Sequence, residues 1–185
     1  MTGIATLVMT TACSNEEPGT PSGAPVGSSS TAPPSASPSA PPSASLARPA
    51  VLPLDDVQPC ELVDEQARAR FGIDRPDAPS ATDPDVPVCT LLSSTAGGYV
   101  VALERRKGVD ALGREVNTSV GGFPAVEIRQ QNVKVGHISI DVADGQRLDV
   151  EVQRLSSDQQ VDEIYRDTML FAEAVLATLR QKLGR

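Results

Sequence analysis

Residues 133–155, VKVGHISIDVADGQRLDVEVQRL, decide the fold because apolar and polar side chains alternate on both sides of Asp144 and Gly145. This alternation predicts a hairpin of two antiparallel strands, each with one apolar face. The side chains that must share this face are Ile138, Ile140 and Val142 in the first strand and Leu148, Val150 and Val152 in the second.

The length of the turn follows from side-chain parity. A two-residue turn at Asp144 and Gly145 would pair Ile140 with Asp149 and would mix the two faces. A three-residue turn at residues 143–145 pairs Ile140 with Leu148 and keeps the apolar side chains together. We therefore predict a type I turn in which Gly145 is left-handed and lies in a bulge.

The closing segment, residues 156–185, predicts the longest helix of the chain. Ser157 and Gln160 have the spacing of a capping box at its start, and Gly184 suits its end. An apolar stripe at helical spacing should cover one face of the sheet. The stripe consists of Val161, Ile164, Tyr165, Thr168, Ala172, Val175, Leu176, Leu179 and Leu183.

Other segments complete the predicted domain. A shorter helix over residues 59–72 begins at Pro59 and ends at Gly72. Residues 88–94, 99–106 and 119–130 predict strands, and residues 73–87, with four prolines, predict a loop. We predict an α+β fold over residues 51–185, in which an antiparallel sheet of about four to six strands is covered on one face by the long C-terminal helix.

Residues 1–12 have the features of a lipoprotein-type signal peptide, which makes Cys13 the predicted lipidation site. Apolar and small residues fill positions 4–12, and the small residues Thr11 and Ala12 precede Cys13. Two features differ from the usual pattern, since Thr10 stands where leucine is common and no Lys or Arg precedes Arg48. The alternatives are an ordinary cleavable signal and a disordered tail in which the cysteine is an idle thiol. Palmitate-type acyl chains on Cys13 would give a stable membrane anchor.

Residues 13–50 predict a disordered tether between this anchor and the folded domain. Positions 18–50 contain nine prolines and nine serines and almost no large apolar side chains. Burial of apolar surface therefore could not offset the conformational entropy that this segment would lose on folding. At about 3.1 Å per residue, thirty or so residues would reach roughly 100 Å when extended. Both a glycan-bearing stalk and a plain linker fit this composition.

The two remaining cysteines, Cys60 and Cys89, are predicted to form a disulfide. An exported chain with two cysteines in its folded part usually pairs them, and two buried free thiols are the alternative. A metal site is not expected, because the chain has one histidine and no C-x-x-C spacing.

The overall composition narrows the classes of partner. The formal net charge of −8 disfavours a nucleic-acid partner, which needs a basic surface. Aromatic residues make up 3% of the chain and tryptophan is absent, so a stacking platform for bases or sugars is not expected. No stretch is apolar over the 18 or so residues of a spanning helix.

No stretch predicts a catalytic or cofactor motif. His137, the only histidine, is interpreted as a solvated strand residue opposite Glu151, and the competing hypothesis is a general base near a serine. Four acidic residues of the proline-rich loop could bind Ca²⁺ but lack the spacing of a calcium loop, namely Asp74, Asp77, Asp83 and Asp85. We therefore expect no cofactor, no metal and no catalytic residues.

The sequence motifs together resemble those of a known family. The cysteine after a small-residue stretch and the Ser/Pro/Ala-rich stalk are followed by PCELVDEQ, VGGFPA, ISIDVADGQRLDVEV and AEAVLATL. In this order they resemble a family of actinobacterial lipoproteins of unknown function, over residues 51–182. The resemblance implies export, lipidation and an envelope location, and it implies no reaction. Cys60 and Cys89 match the first cysteine pair of the family, whereas His137 or a neighbour and Tyr165 occupy the places of a second pair.

These observations predict a lipid-anchored protein on the extracytoplasmic face of the cell membrane. Its expected role is that of a non-catalytic binding or interaction module for an envelope protein, a glycan or a small ligand. A carrier of a hydrophobic ligand or lipid is the alternative, and it would need a cavity between sheet and helix. A wall-acting hydrolase would need a convergent polar site in a cleft.

Overall fold

The structure is a computed structural model that describes residues 47–80, 83–114, 117–129, 134–155 and 160–184. Its described part contains a seven-stranded sheet in the order β1-β2-β3-β7-β6-β5-β4, and all neighbouring strands are antiparallel. The strands are β1 (Ala78–Ser80), β2 (Val88–Ser93), β3 (Gly97–Glu104), β4 (Thr118–Val120), β5 (Phe123–Ile128), β6 (Val135–Ala143) and β7 (Gln146–Arg154).

The predicted α+β fold is confirmed, but the sheet has more strands than the predicted four to six. β1 lies within residues 73–87, which the sequence predicted as loop, and the predicted strand at residues 119–130 is divided into β4 and β5. Both additional strands are three residues long and form the two edges of the sheet. Segments this short cannot show the alternation by which strands are recognised.

The hairpin of β6 and β7 has the predicted register, with Ile140 opposite Leu148 and Ile138 opposite Val150. The predicted three-residue turn is wrong, because Ala143 pairs with Gln146 and leaves two residues between them. The extra residue that parity requires is Val142, in a bulge between Asp141 and Ala143. Gly145 is left-handed as predicted, with φ of 68°.

The long C-terminal helix, α2 (Val161–Lys182), packs on β6 and β7. Most of the predicted stripe is buried, including Ile164, Thr168 and Leu179. Val161, at the start of the helix, is exposed, and Phe171, which the predicted stripe omitted, is fully buried. The predicted capping box falls partly on residues 156–159, which are outside the described residues. Gln160 occupies the N-cap position and makes no side-chain capping hydrogen bond.

The predicted helix over residues 59–72 is divided into a 3-10 helix, Pro59–Leu62, and α1, Glu65–Phe71. The division occurs at Asp64, whose carboxylate accepts a hydrogen bond from the Ala67 N–H at 2.8 Å and so caps a new helix. Gly72, with φ of 65°, ends α1 as predicted.

The core lies between α2, α1 and one face of the sheet. Phe171 of α2 contacts the rings of Tyr99 and Phe71, with centroid distances of 4.9 and 5.1 Å. The segment before the 3-10 helix also contributes, because Leu52 and Leu54 are fully buried and the Leu52 N–H donates to the Val142 carbonyl at 2.8 Å. In the part of the chain that the structure describes, no helix as long as α2 packs on the opposite face of the sheet.

Candidate functional site

The predicted disulfide between Cys60 and Cys89 is present, with the two Cα atoms 5.1 Å apart. Cys60 belongs to the 3-10 helix and Cys89 to β2, so the bond joins the N-terminal part of the domain to the sheet. The other predicted site cysteine, Cys13, lies outside the described residues, and its lipidation stays a prediction.

The sheet face opposite α2 carries a row of side chains across five strands. Strand pairing places Thr90, Val100, Glu151, His137 and Ile128 side by side, one from each of β2, β3, β7, β6 and β5. All five are half-buried rather than covered. We call this row, together with the exposed Leu92 at its margin, the open face. The pairing of His137 with Glu151 confirms the predicted register.

A second row on the same side of the sheet brings polar groups together. It places Asp149 of β7 next to Ser139 of β6, with His137 two residues along the strand. The Ser139 hydroxyl donates to Asp149 Oδ1 at 2.5 Å and lies 3.3 Å from His137 Nε2. His137 Nε2 is 3.7 Å from Asp149 Oδ1.

The carboxylate of Asp149 is held in its ionised form. Burial alone would raise the pKa of Asp149, but contacts with His137 and Ser139 and the positive charge of Arg147 bring it below its ordinary value. Arg147 Nε donates to both carboxylate oxygens at 3.0 and 3.1 Å. Its guanidinium also donates to the Lys107 carbonyl, so the cluster ties β7 to the segment that follows β3.

The three residue types of a serine hydrolase are therefore adjacent, but their geometry differs from that of a catalytic triad. In a triad the serine gives its proton to histidine, and the acid orients that histidine. Here the Ser139 hydroxyl donates directly to Asp149, and Ser139 is fully buried while His137 is 30% exposed. The arrangement stabilises the contact between β6 and β7 and presents no accessible nucleophile.

The sequence-based hypothesis of a general base near a serine left that serine unnamed, and it did not identify the contact of Ser139 and His137 with Asp149. The signal was available in the predicted register, because pairing Ile140 with Leu148 also pairs Ser139 with Asp149. Which group accepts the hydrogen bond from the Ser139 hydroxyl depends on the side-chain rotamers. The alternation of apolar and polar residues does not specify those rotamers.

The four acidic residues considered as calcium ligands do not converge, because each has its own partner. Asp74 accepts from the N–H and hydroxyl of Ser94, which lowers its pKa. The other three are held separately: Asp77 by Arg68, Asp85 by Arg106, and Asp83 by the Asp85 N–H. They do not form the ligand shell that calcium requires.

Glu151 is the acidic residue of the open face, and its carboxylate has no counter-ion in the described part of the chain. On the same side of the sheet, Asp149 and Glu104 have Arg147 and Asp141 has Arg48, whereas the side chain of Glu151 has no ion-pair or hydrogen-bond partner among the described residues. It lies between the apolar Val100 and the imidazole of His137. An unpaired carboxylate beside apolar surface is a favourable place for a cationic group from outside the chain.

These features define a class of protein: a disulfide-linked α+β domain in which one sheet face is packed against a helix and the other carries a partly polar surface. The chain belongs to the family DUF3558, described as a protein of unknown function, whose profile matches residues 8–164. No curated protein and no solved structure matches the chain. Within the described residues, none of the helices is long and apolar enough to cross a membrane.

Proposed function

We propose that the protein is a cell-envelope lipoprotein that acts as a non-catalytic binding module, with the open face as its binding surface. The observation that carries the proposal is the position of Glu151, an unpaired carboxylate in the middle of a half-buried row of the seven-stranded sheet. A partner with apolar surface and a positive charge would complement this row.

The polar cluster beside the open face, on the same side of the sheet, supports binding rather than catalysis. Ser139 donates a hydrogen bond to Asp149, and Arg147 neutralises the charge of the Asp149 carboxylate. These contacts hold β6 and β7 in a fixed register. A surface that does not rearrange loses little conformational entropy when a partner binds.

The anchoring half of the proposal rests on the sequence before the folded domain. A cysteine after a signal-like stretch and a long proline- and serine-rich segment would place the binding surface away from an extracytoplasmic membrane. The Cys60–Cys89 disulfide is compatible with an oxidising compartment.

The interior of the domain gives less support to the alternative function, that of a carrier for a hydrophobic ligand. The space between α2 and the sheet is occupied by large side chains that are fully buried, among them Tyr99, Phe123 and Phe171. A carrier would need that space for its ligand.

The anchor is tested by expressing the full chain and its Cys13→Ala variant in an actinobacterial host. We expect the native chain to enter the detergent phase on phase partitioning, and its N-terminal peptide to have the mass of an acylated cysteine. The variant should remain in the aqueous phase. A native chain without acyl mass on Cys13 would contradict the anchor.

The binding surface is tested by photo-crosslinking in intact cells. A crosslinking amino acid at Leu92 reports on the open face, and the same group at Glu173 on the exposed side of α2 is the matched control. We expect a discrete crosslinked product from position 92 that weakens in a Glu151→Lys background. Equal products from both positions, or none from position 92, would refute the open face as the binding surface.

A further inference from the structure

Three potential metal-binding atoms lie close together at the disulfide: its two sulfur atoms and one carboxylate oxygen. The sulfur atoms of Cys60 and Cys89 and a carboxylate oxygen of Asp77 all lie within 4.8 Å of one another. They come from three separate places: the 3-10 helix, β2 and the segment before β1. The packing of the domain, rather than a local sequence motif, brings them together.

This group is accessible from a surface cleft of about 390 Å³. Cys60 and Asp77 line the cleft, together with Pro59, Pro79 and Pro87. Cys60 is half-buried and Cys89 is fully buried, so a reductant would reach the disulfide at the sulfur of Cys60.

We infer that reduction of the Cys60–Cys89 disulfide creates a binding site for Zn²⁺ with two thiolates and the Asp77 carboxylate as ligands. A dithiol reductant supplies two electrons and two protons, so that the disulfide becomes two thiols and the reductant becomes a disulfide. Zn²⁺ then displaces both thiol protons to solvent and takes the carboxylate oxygen as its third ligand.

The donor set suits zinc in type and spacing. Zinc accepts thiolate at about 2.3 Å and carboxylate at about 2.0–2.2 Å in tetrahedral geometry, which places two sulfur ligands roughly 3.8 Å apart. Breaking the S–S bond lets the sulfurs separate to this distance, and the carboxylate oxygen is already close to both. The fourth position would face the cleft.

Arg68 is the group that opposes metal binding. Its guanidinium donates to both carboxylate oxygens of Asp77 at 2.6 Å, and zinc would compete with it for one of them. This competition distinguishes the site from any pair of reduced cysteines, because affinity should depend on Asp77 and, in the opposite sense, on Arg68.

The test uses the full chain with Cys13→Ala, so that the reduced pair holds the only thiols. The protein is reduced with a phosphine, and zinc affinity is measured by competition with a chromophoric chelator. We expect one zinc per chain after reduction and none in the oxidised protein. Asp77→Asn should weaken binding at least about tenfold, and Arg68→Met should strengthen it. Asp74→Asn is the matched control and should leave the affinity unchanged.

A second readout identifies the ligands. Co²⁺ in place of zinc should give thiolate charge-transfer bands and the visible spectrum of a tetrahedral site, and Asp77→Asn should alter that visible spectrum. The Cys60→Ser/Cys89→Ser variant should bind neither metal. Failure of the reduced chain to take up zinc would overturn the proposal. So would equal affinity of the native and Asp77→Asn chains, whether the reduced protein is folded or unfolded by circular dichroism.

Discussion

The hydroxyl of Tyr165 in α2 donates a hydrogen bond to the carbonyl oxygen of Ile128 at the end of β5, 2.7 Å away. This contact joins the first turns of the helix to a strand near the far edge of the sheet. Tyr165 is one of the two places at which the family resemblance implied a second cysteine pair. A hydrogen bond to the sheet therefore occupies a position where the resemblance suggested a covalent link.

Replacement of Tyr165 by Phe should destabilise the domain by about 1–2 kcal/mol, because the Ile128 carbonyl loses a buried donor while the packing of the ring is kept. Urea unfolding followed by circular dichroism measures the change. Glu173→Gln on the exposed side of α2 is the control and should change the free energy of unfolding by less than about 0.5 kcal/mol. A Tyr165→Phe protein as stable as the native one would show that the hydrogen bond contributes nothing.

Gly136 of β6 lies directly against α2, with no room for a side chain. A Cβ atom added there would lie 2.1 Å from Thr168 Oγ1 and 3.2 Å from the Ile164 carbonyl oxygen. Gly136→Ala should therefore destabilise the protein by about 1–3 kcal/mol through overpacking. Thermal or urea unfolding gives the measurement.

The control for this effect is Gly98→Ala, because a Cβ there would meet its nearest neighbours at 3.8 Å, an ordinary contact. Gly98→Ala should be close to neutral, and Thr168→Ala should recover part of the loss in the Gly136→Ala background. Equal effects of the two glycine substitutions would mean that helix packing does not limit position 136.

The sequence was sufficient to predict the elements whose own residues carry the pattern. Alternation in β6 and β7 predicted that Ile140 faces Leu148, and helical spacing predicted most of the buried stripe of α2. Parity required one extra residue in the hairpin but could not say where, and the structure places it at Val142 rather than in the turn. An extra residue bulged at Val142 and an extra residue in the turn both leave the paired side chains on the same face of the sheet. The pattern of apolar residues is therefore the same for the two arrangements.

The remaining features depend on contacts between segments distant in sequence. The edge strand β1 consists of Ala78, Pro79 and Ser80, which show no strand pattern and pair only because β2 lies beside them. The approach of Asp77 to the disulfide is of the same kind. Such proximity follows from the packed fold, which sequence periodicity does not describe.

The Cys60–Cys89 disulfide should contribute substantially to stability. It closes a loop with a sequence separation of 29, for which chain entropy gives about 3.5 kcal/mol. The Cys60→Ser/Cys89→Ser variant should lose free energy of unfolding of about this size, measured by urea denaturation without metal. The oxidised native chain with Cys13→Ala is the control. A loss below about 1 kcal/mol would contradict a stabilising role for the bridge.

Asp149 should make stability depend on pH in the acidic range. Its pKa is lower in the folded protein than its ordinary value, so the unfolded chain takes up the proton more readily. The stabilisation from its ionised form is therefore complete above the unfolded pKa of about 3.9 and is lost as pH falls through the lower folded pKa.

Asp149→Asn should lower the melting temperature clearly at pH 7, because Arg147 and the Ser139 hydroxyl lose their charged acceptor. The difference from the native protein should stay constant down to about pH 5 and shrink between pH 4 and pH 2. Melting curves over this range, with Glu173→Gln as the exposed control, provide the measurement. A difference that persists unchanged at pH 2 would show that the ionised carboxylate is not the source of the stability, and that shape alone holds Ser139 and Arg147 in place.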